Sequence, residues 1–247
     1  MSKVENASWP QIKTVGFDGF LVCFGGQLDE ASNRAALAFR AAVIAAKIPG
    51  VEECSTSLVS TYVRFDPLLH EHQVMHAALV ELVSQRDWYT VALPQGRRLW
   101  RIPTVFGGAL APQLAETARV AGMTEAEATT SISKCRVRVQ TIGFAPGMPY
   151  FGELEPEWDL PRQTTLTDRV PAGGLCVAIR QLVLFPVATP TGWRHIGQTA
   201  LRLFRPNAQV PFVFRPGDEA IFEPVSEQEL TRLFDQDDGG AVCEDIL

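Results

Sequence analysis

An α+β fold in two domains, a small sheet-and-helix domain followed by a β-barrel, is predicted by three observations. The chain has 247 residues, 46% apolar and 20% charged, a composition that suits a soluble globular protein with room for two domains of ordinary size. Strand-like and helix-like periods alternate as far as Leu93. From Arg136 to Pro224, by contrast, helical periodicity is absent, and Pro and Gly recur every few residues between short Val-, Ile- and Phe-rich runs. Pro94-Gln95-Gly96-Arg97-Arg98 is a polar break with turn chemistry. The expected domains are 1–95 and 96–226, with an acidic tail over 227–247.

In the first domain, Lys13 to Phe24 is apolar and aromatic around Gly16 and Gly19, as in a bent strand or a tight hairpin. Asp29 caps a helix whose Ala35, Ala38, Phe39, Ala42, Val43 and Ala46 recur at three- and four-residue spacing, until Lys47 and Pro49-Gly50 stop it. Val51 to Phe65, rich in Val, Ser, Thr and Tyr with a break near Ser55 to Ser57, predicts two antiparallel strands. A helix from about Leu69 to Gln85 buries Met75, Ala78, Leu79, Leu82 and Val83, and Trp88 to Leu93 returns as a strand. The order β-α-β-β-α-β is the ferredoxin-like split unit.

In the second domain, Leu99 to Pro103 is a strand. One short helix opens at Pro112 and closes at Gly122; the next opens with a capping box, Thr124 and Glu127. A compact barrel or sandwich with long loops follows, and the tail from Glu227 holds at most two helical turns before fraying.

Charge and motifs exclude several classes. With 22 basic and 28 acidic residues, net −6, there is no global basic field for nucleic acid. Met1 to Gln11 lacks the basic end and apolar run of a signal peptide, and Ala35 to Ile48 is too short and too charged to span a membrane. The five scattered cysteines, without CxxC or zinc spacing, read as reduced thiols in the cytoplasm. Phosphate-loop, dinucleotide, hydrolase-elbow and zincin motifs are absent. His72 and His76 lie one turn apart, as a metal pair or as solvated helix surface, but no spacing completes a site, so no metal is assigned. Cys135 and Cys176 are nucleophiles only with a base beside them, and otherwise small core residues.

The informative segments are GFAPGMPYFG (143–152), LPR (160–162), RVPAG (169–173) and PTGWRHIG (190–197). Glycines and prolines at this density hold loops rigidly and let a ligand approach the backbone, or else serve as barrel corners. Phe144, Pro146, Gly147, Pro171, Gly173 and Trp193 are the candidate binding residues. Arg162 and Arg169 flank these loops, either as anchors for a carboxylate or phosphate or as solvated charge. His195, the one histidine beyond the break at residues 94–98, is the candidate acid or base, or the polar end of a strand.

These four segments, in this order and spacing, resemble the family that includes the 5-oxoprolinase B subunit, allophanate hydrolase subunit 1 proteins, the sporulation kinase inhibitor of bacilli and the C/D part of the carboxyltransferase domain of urea carboxylase. Phe65-Asp66-Pro67, Ile102-Pro103 and Phe106-Gly107-Gly108 fit the same pattern. The resemblance implies that a cyclophilin-like β-barrel follows the ferredoxin-like domain. It further implies one subunit of a heteromeric, ATP-dependent hydrolase of the 5-oxoprolinase type, working with a second carboxyltransferase-type (A-B) subunit on a small acidic cyclic amide. A non-catalytic regulatory or binding protein, and a carboxyltransferase subunit receiving biotin on another chain, are the alternatives. The chain departs from the family pattern at Gln113 (for aspartate), Ile132 (for histidine), Leu182 (for threonine) and Gln198 (for arginine), changes that predict altered or lost activity.

Overall fold

The computed structural model describes residues 8–236 and 238–246, so the first seven positions of the segment Met1 to Gln11, read above against export, lie outside the description. The chain divides into two compact units, one ending at Pro94 and the other beginning at Gln95.

In the first unit, strands β1 (Gln11–Val15) and β2 (Gly19–Cys23) form the expected hairpin, with Ile12 opposite Val22. Helix α1 (Glu30–Ala46) starts at Asp29, whose carboxylate accepts from the Ser32 N–H at 2.9 Å, satisfying one of the donors orphaned at a helix start. Strands β3 (Val51–Ser57) and β4 (Ser60–Phe65) form a second hairpin, and helix α2 (His72–Ser84) follows. The sheet runs β1-β2-β4-β3, antiparallel throughout. Phe20, Val22, Val63 and Phe65 meet Phe39, Val43, Met75 and Leu79 from the helices in one core.

The strand expected at Trp88 to Leu93 is not formed. Strand β2 already has β1 on one edge and β4 on the other, so the edge that a returning strand needs in the ferredoxin-like arrangement is occupied. The order is therefore β-β-α-β-β-α, and the ferredoxin-like expectation is corrected. The segment still packs inward. The Trp88 indole N–H donates to Val83 O at 2.8 Å and its ring meets Phe39 edge-on at 5.1 Å, while the Tyr89 hydroxyl donates to Phe24 O at 2.7 Å.

The second unit is a closed seven-strand barrel. Its strands are β5 (Arg98–Phe106), β6 (Val137–Ile142), β7 (Pro149–Gly152), β9 (Gly174–Ala178), β10 (Gln181–Leu184), β12 (Arg194–Thr199) and β13 (Glu219–Pro224). They run β12-β9-β10-β7-β6-β13-β5, and β5 closes the ring by pairing Thr104 to Phe106 with Gly197 to Thr199. Only the β13–β5 pair is parallel. Between them β8 (Thr167–Val170) and β11 (Thr189–Thr191) form a two-stranded sheet. Helices α3 (Leu114–Val120) and α4 (Glu125–Lys134) cover the barrel with Leu114, Ala118, Ala128 and Ile132 in its core. The capping box of α4 is formed by Thr124 and Glu127 as expected, whereas α3 starts without a side-chain cap because the Gln113 side chain is engaged elsewhere.

The described residues of the tail are folded onto the barrel, against the expected fraying. Helix α5 (Glu227–Leu233) docks Leu230 and Leu233 on Val105 and Ala200, and β14 (Val242–Asp245) pairs antiparallel with Arg98 to Arg101 of β5. The cause is the length of β5. Strand β12 covers only its last three residues, so the first half presents an open edge, and Arg101 attracts both Glu223 and Glu244.

Candidate functional site

The rigid loops bring residues of all four sequence segments together at one place on the barrel. Trp193, between β11 and β12, is 5% exposed and packs with Met148, Val170, Cys176, Val183 and Phe185. Over its ring lies the Arg162 guanidinium, 5.3 Å from the centroid, and against it stands Tyr150 of β7, with centroids 5.9 Å apart at 69°. Burial pushes the Tyr150 hydroxyl above its ordinary pKa, and the Arg162 charge works the other way. Arg162 is exposed and has no carboxylate partner among the described residues, so its outer N–H groups are directed to solvent or to a ligand. Arg169 is exposed on β8, and no described contact joins it to this trio.

The proline and glycine candidates divide into two groups. Phe144 (80% exposed), Pro146 and Pro171 lie on the surface. Gly147 and Gly173 are buried with φ of +72° and +78°, and protein atoms fill the space beside each. A methyl group at Gly147 would lie 3.1 Å from Leu203 O, and one at Gly173 would overlap Thr199 O. These two glycines are barrel corners in this fold, whereas Phe144, Pro146, Pro171 and Arg162 are exposed.

His195 lies on β12, 4% exposed. Its backbone is clamped by Gln113, which donates its own N–H to His195 O at 3.2 Å and accepts the His195 N–H on Oε1 at 2.7 Å. The ring Nε2 has no hydrogen-bond partner. Burial lowers the ring pKa, and the Gly197 backbone and Gln198 side chain offset only part of that. A titration at the unperturbed value of about 6.5 is thus not expected in the folded chain. The unfolded chain then binds more protons as pH falls through that value, so stability is full above about pH 6.5 and decreases below it. His195→Gln should flatten this acid limb in melting temperatures recorded between pH 7.5 and 5; an unchanged slope would place the responsible group elsewhere.

Three of the four departures are buried, and Gln113 is half-buried. Ile132 and Leu182 are 0% exposed in the barrel core. Gln113 Nε2 donates to Gln163 Oε1 and to Thr167 Oγ1, each at 3.1 Å. Gln198 Nε2 donates to Ala172 O at 2.8 Å and Thr199 O at 2.9 Å, which holds the turn before β9. Both amides act as cross-links between barrel segments. Cys135 and Cys176 are also set aside as nucleophiles, because burial raises both thiols. The His72 and His76 rings lie tilted against Phe20, with centroids at 4.3 and 5.6 Å, and among the described residues no group of three His, Cys, Asp or Glu is placed to hold a metal ion. No described helix is long and apolar enough to cross a membrane.

Reading by motif missed Tyr150, Gln163 and Thr167. Tyr150 sits inside the GFAPGMPYFG segment, where an aromatic next to prolines was a usable signal. Nothing local marks Gln163 or Thr167, which meet Gln113 from 50 and 54 residues away, Gln163 also donating to Trp193 O, 30 residues on.

Residues 10–214 match the model of the carboxyltransferase domain, subdomain C and D. The chain is 29% identical to the B subunit of 5-oxoprolinase from Bacillus subtilis over 226 residues, covering 89% of this chain and 94% of that one. It is 39% identical to the 5-oxoprolinase B subunit of Escherichia coli O157:H7 over 144 residues, covering 58% and 66%. The crystal structure of TTHA0988 superposes with a TM-score of 0.69 at 30% identity, over 84% of this chain but only 40% of that longer one. With a matched family model spanning most of the residues and the barrel in place, this chain belongs to the carboxyltransferase domain, subdomain C and D family.

Proposed function

We propose that the chain is one subunit of a heteromeric, ATP-dependent amidohydrolase of the 5-oxoprolinase type, acting in the cytoplasm on a small acidic cyclic amide. The observation that carries this reading is the match to the B subunit of the Bacillus subtilis 5-oxoprolinase over nearly the full length of both chains. In such a reaction ATP phosphorylates the amide carbonyl oxygen and ADP leaves; one water adds to the activated carbon and the ring C–N bond opens to an acyl phosphate, from which a second water releases phosphate. Among the described residues this chain offers a cation on an aromatic platform and no paired nucleophile and base. We therefore assign it to holding the substrate, with Arg162 gripping the carboxylate and Arg169 adding charge nearby, while Phe144, Pro146 and Pro171 line the approach. The ATP phosphates are assigned to the second, A-B type subunit, because the left-handed glycines of the loop segments, Gly147 and Gly173, are packed against protein.

The isolated chain should show no ATP-dependent 5-oxoproline hydrolysis, and adding its cognate second subunit should produce it; turnover by the isolated chain would reject the division of labour. In the complex, Arg162→Ala removes a charge-assisted bond of about 1.5 to 3 kcal/mol. It should therefore weaken substrate binding roughly ten- to a hundredfold. As Arg162 is exposed, the melting temperature should hardly move. Unchanged affinity in calorimetry would return Arg162 to ordinary surface charge.

A further inference from the structure

Trp193 and Arg194 are neighbours in sequence, but they serve different faces of the barrel wall. Trp193 packs with Cys176 and Val183. Arg194 stands opposite Val177 of β9, a residue of the barrel core, and opposed residues of an antiparallel pair share a face. The Arg194 side chain is thus on the inner side of β12, away from the Arg162–Trp193–Tyr150 trio. Arg194 is 8% exposed, the most buried basic residue among those described. Its Nη1 donates to Pro161 O at 2.5 Å, whereas Nε is buried without any partner. No described carboxylate pairs with this guanidinium.

A guanidinium keeps its charge inside a protein, so burying one without a counter-ion is strongly unfavourable. Arg98 shows how the same chain meets this demand elsewhere. Its side chain is 16% exposed, and both Nε and Nη2 donate to the carboxylate of Asp218, itself 2% exposed. Arg194 has a neutral carbonyl where Arg98 has a carboxylate. The segments around it supply no negative charge either. Residues 161–163 run beside 192–194, Gln163 N–H donating to Gly192 O at 2.7 Å and its amide to Trp193 O at 3.3 Å. The side chains that Gln163 meets, Gln113 and Thr167, are neutral as well. One negative charge is therefore missing at Arg194, and the orphaned Nε marks where it belongs. A carboxylate or phosphate oxygen pair matches the fork that Nε and Nη2 present. With so little of the residue open to solvent, the group that reaches it is a small ion and not the surface of a folded partner.

We propose that Arg194 is the binding residue of a small-oxyanion site in the barrel wall, taking a carboxylate or phosphate group on Nε and Nη2, apart from the grip assigned to Arg162. The site needs only this chain, so it stands or falls independently of the subunit reading, although phosphate is a product of the reaction proposed there.

The isolated full chain is titrated with inorganic phosphate and, separately, with acetate, by calorimetry and by thermal melting. At least one of the two should bind and raise the melting temperature, and the arm that responds names the chemistry. Arg194→Met should weaken that binding at least about tenfold, the loss of a charge-assisted pair. Without added anion its melting temperature should not fall, because an uncompensated buried charge has been replaced by an apolar group of similar length. Arg162→Ala should leave the affinity unchanged. If Arg194→Met does not fold, Arg194→Lys decides: it keeps the charge, loses the fork and should still weaken binding. Absence of binding by both anions in the parent, or full affinity in the folded Arg194 variant, overturns the proposal and reduces Arg194 to a tie on Pro161. Loss of binding in Arg162→Ala places the anion on the exposed trio and overturns it equally.

Discussion

Ile132→His should destabilise the barrel unit by about 3 to 5 kcal/mol, the range for replacing a packed core aliphatic with a polar group that has no partner. Ile132 is 0% exposed on α4, in a cluster with Leu114, Ala118, Ala128 and Trp158. An imidazole there finds neither acceptor nor donor, and the loss should grow as pH falls and the ring would charge. Adding Gln113→Asp deepens the damage. Aspartate is one methylene shorter and carries no N–H, so Gln163 Oε1 and Thr167 Oγ1 lose their donor and the His195 N–H risks losing its acceptor. Restoring the family's ionisable residues is therefore expected to lower the folded population and not to raise turnover. Thermal melting decides it: a double variant that melts with the parent would show that this interior accepts polar groups.

Gly173→Ala should cost about 3 kcal/mol or more. The left-handed backbone, φ +78°, disfavours any L side chain by roughly 1 to 2 kcal/mol. In addition, the new methyl would overlap Thr199 O and crowd Gln198 Nε2. Relief would pull apart a turn in which Gly173 N–H donates to Phe185 O at 2.8 Å and Gly173 O accepts from Thr199 N–H at 2.9 Å. Gly122→Ala is the control. Gly122 has φ +74° with no neighbour within 4 Å of the added methyl, so only the conformational cost of about 1 to 2 kcal/mol should appear. Equal losses at the two positions would show that the Thr199 contact relaxes freely.

Arg162 and Trp193 show how far motif reading reaches. Each belongs to a dense Pro/Gly segment, and that density marks loops held rigidly wherever they occur. Which members of a segment reach solvent is a different matter. Gly147 and Phe144 are three residues apart in one loop, yet one packs against Leu203 and Phe212 and the other is 80% exposed. Gln113 and Ile132 make the same point for substitutions: as letters they are lost ionisable groups, and in the barrel one is a cross-link and the other is core.

Local information determined most of the elements: the two hairpins of the first unit, the Asp29 cap, the capping box at Thr124 and the barrel character after Arg136. Periodicity, caps and turn residues act within a few positions, so a single sequence carries them. Tertiary structure alone decided which strand occupies an edge. Trp88 to Leu93 has strand-forming residues, but β1 holds the edge of β2 first; Val242 to Asp245 has little strand character, yet it pairs because β12 leaves half of β5 uncovered. A backbone edge is satisfied by whichever segment reaches it, and that competition between distant parts of the chain is not encoded in any one of them.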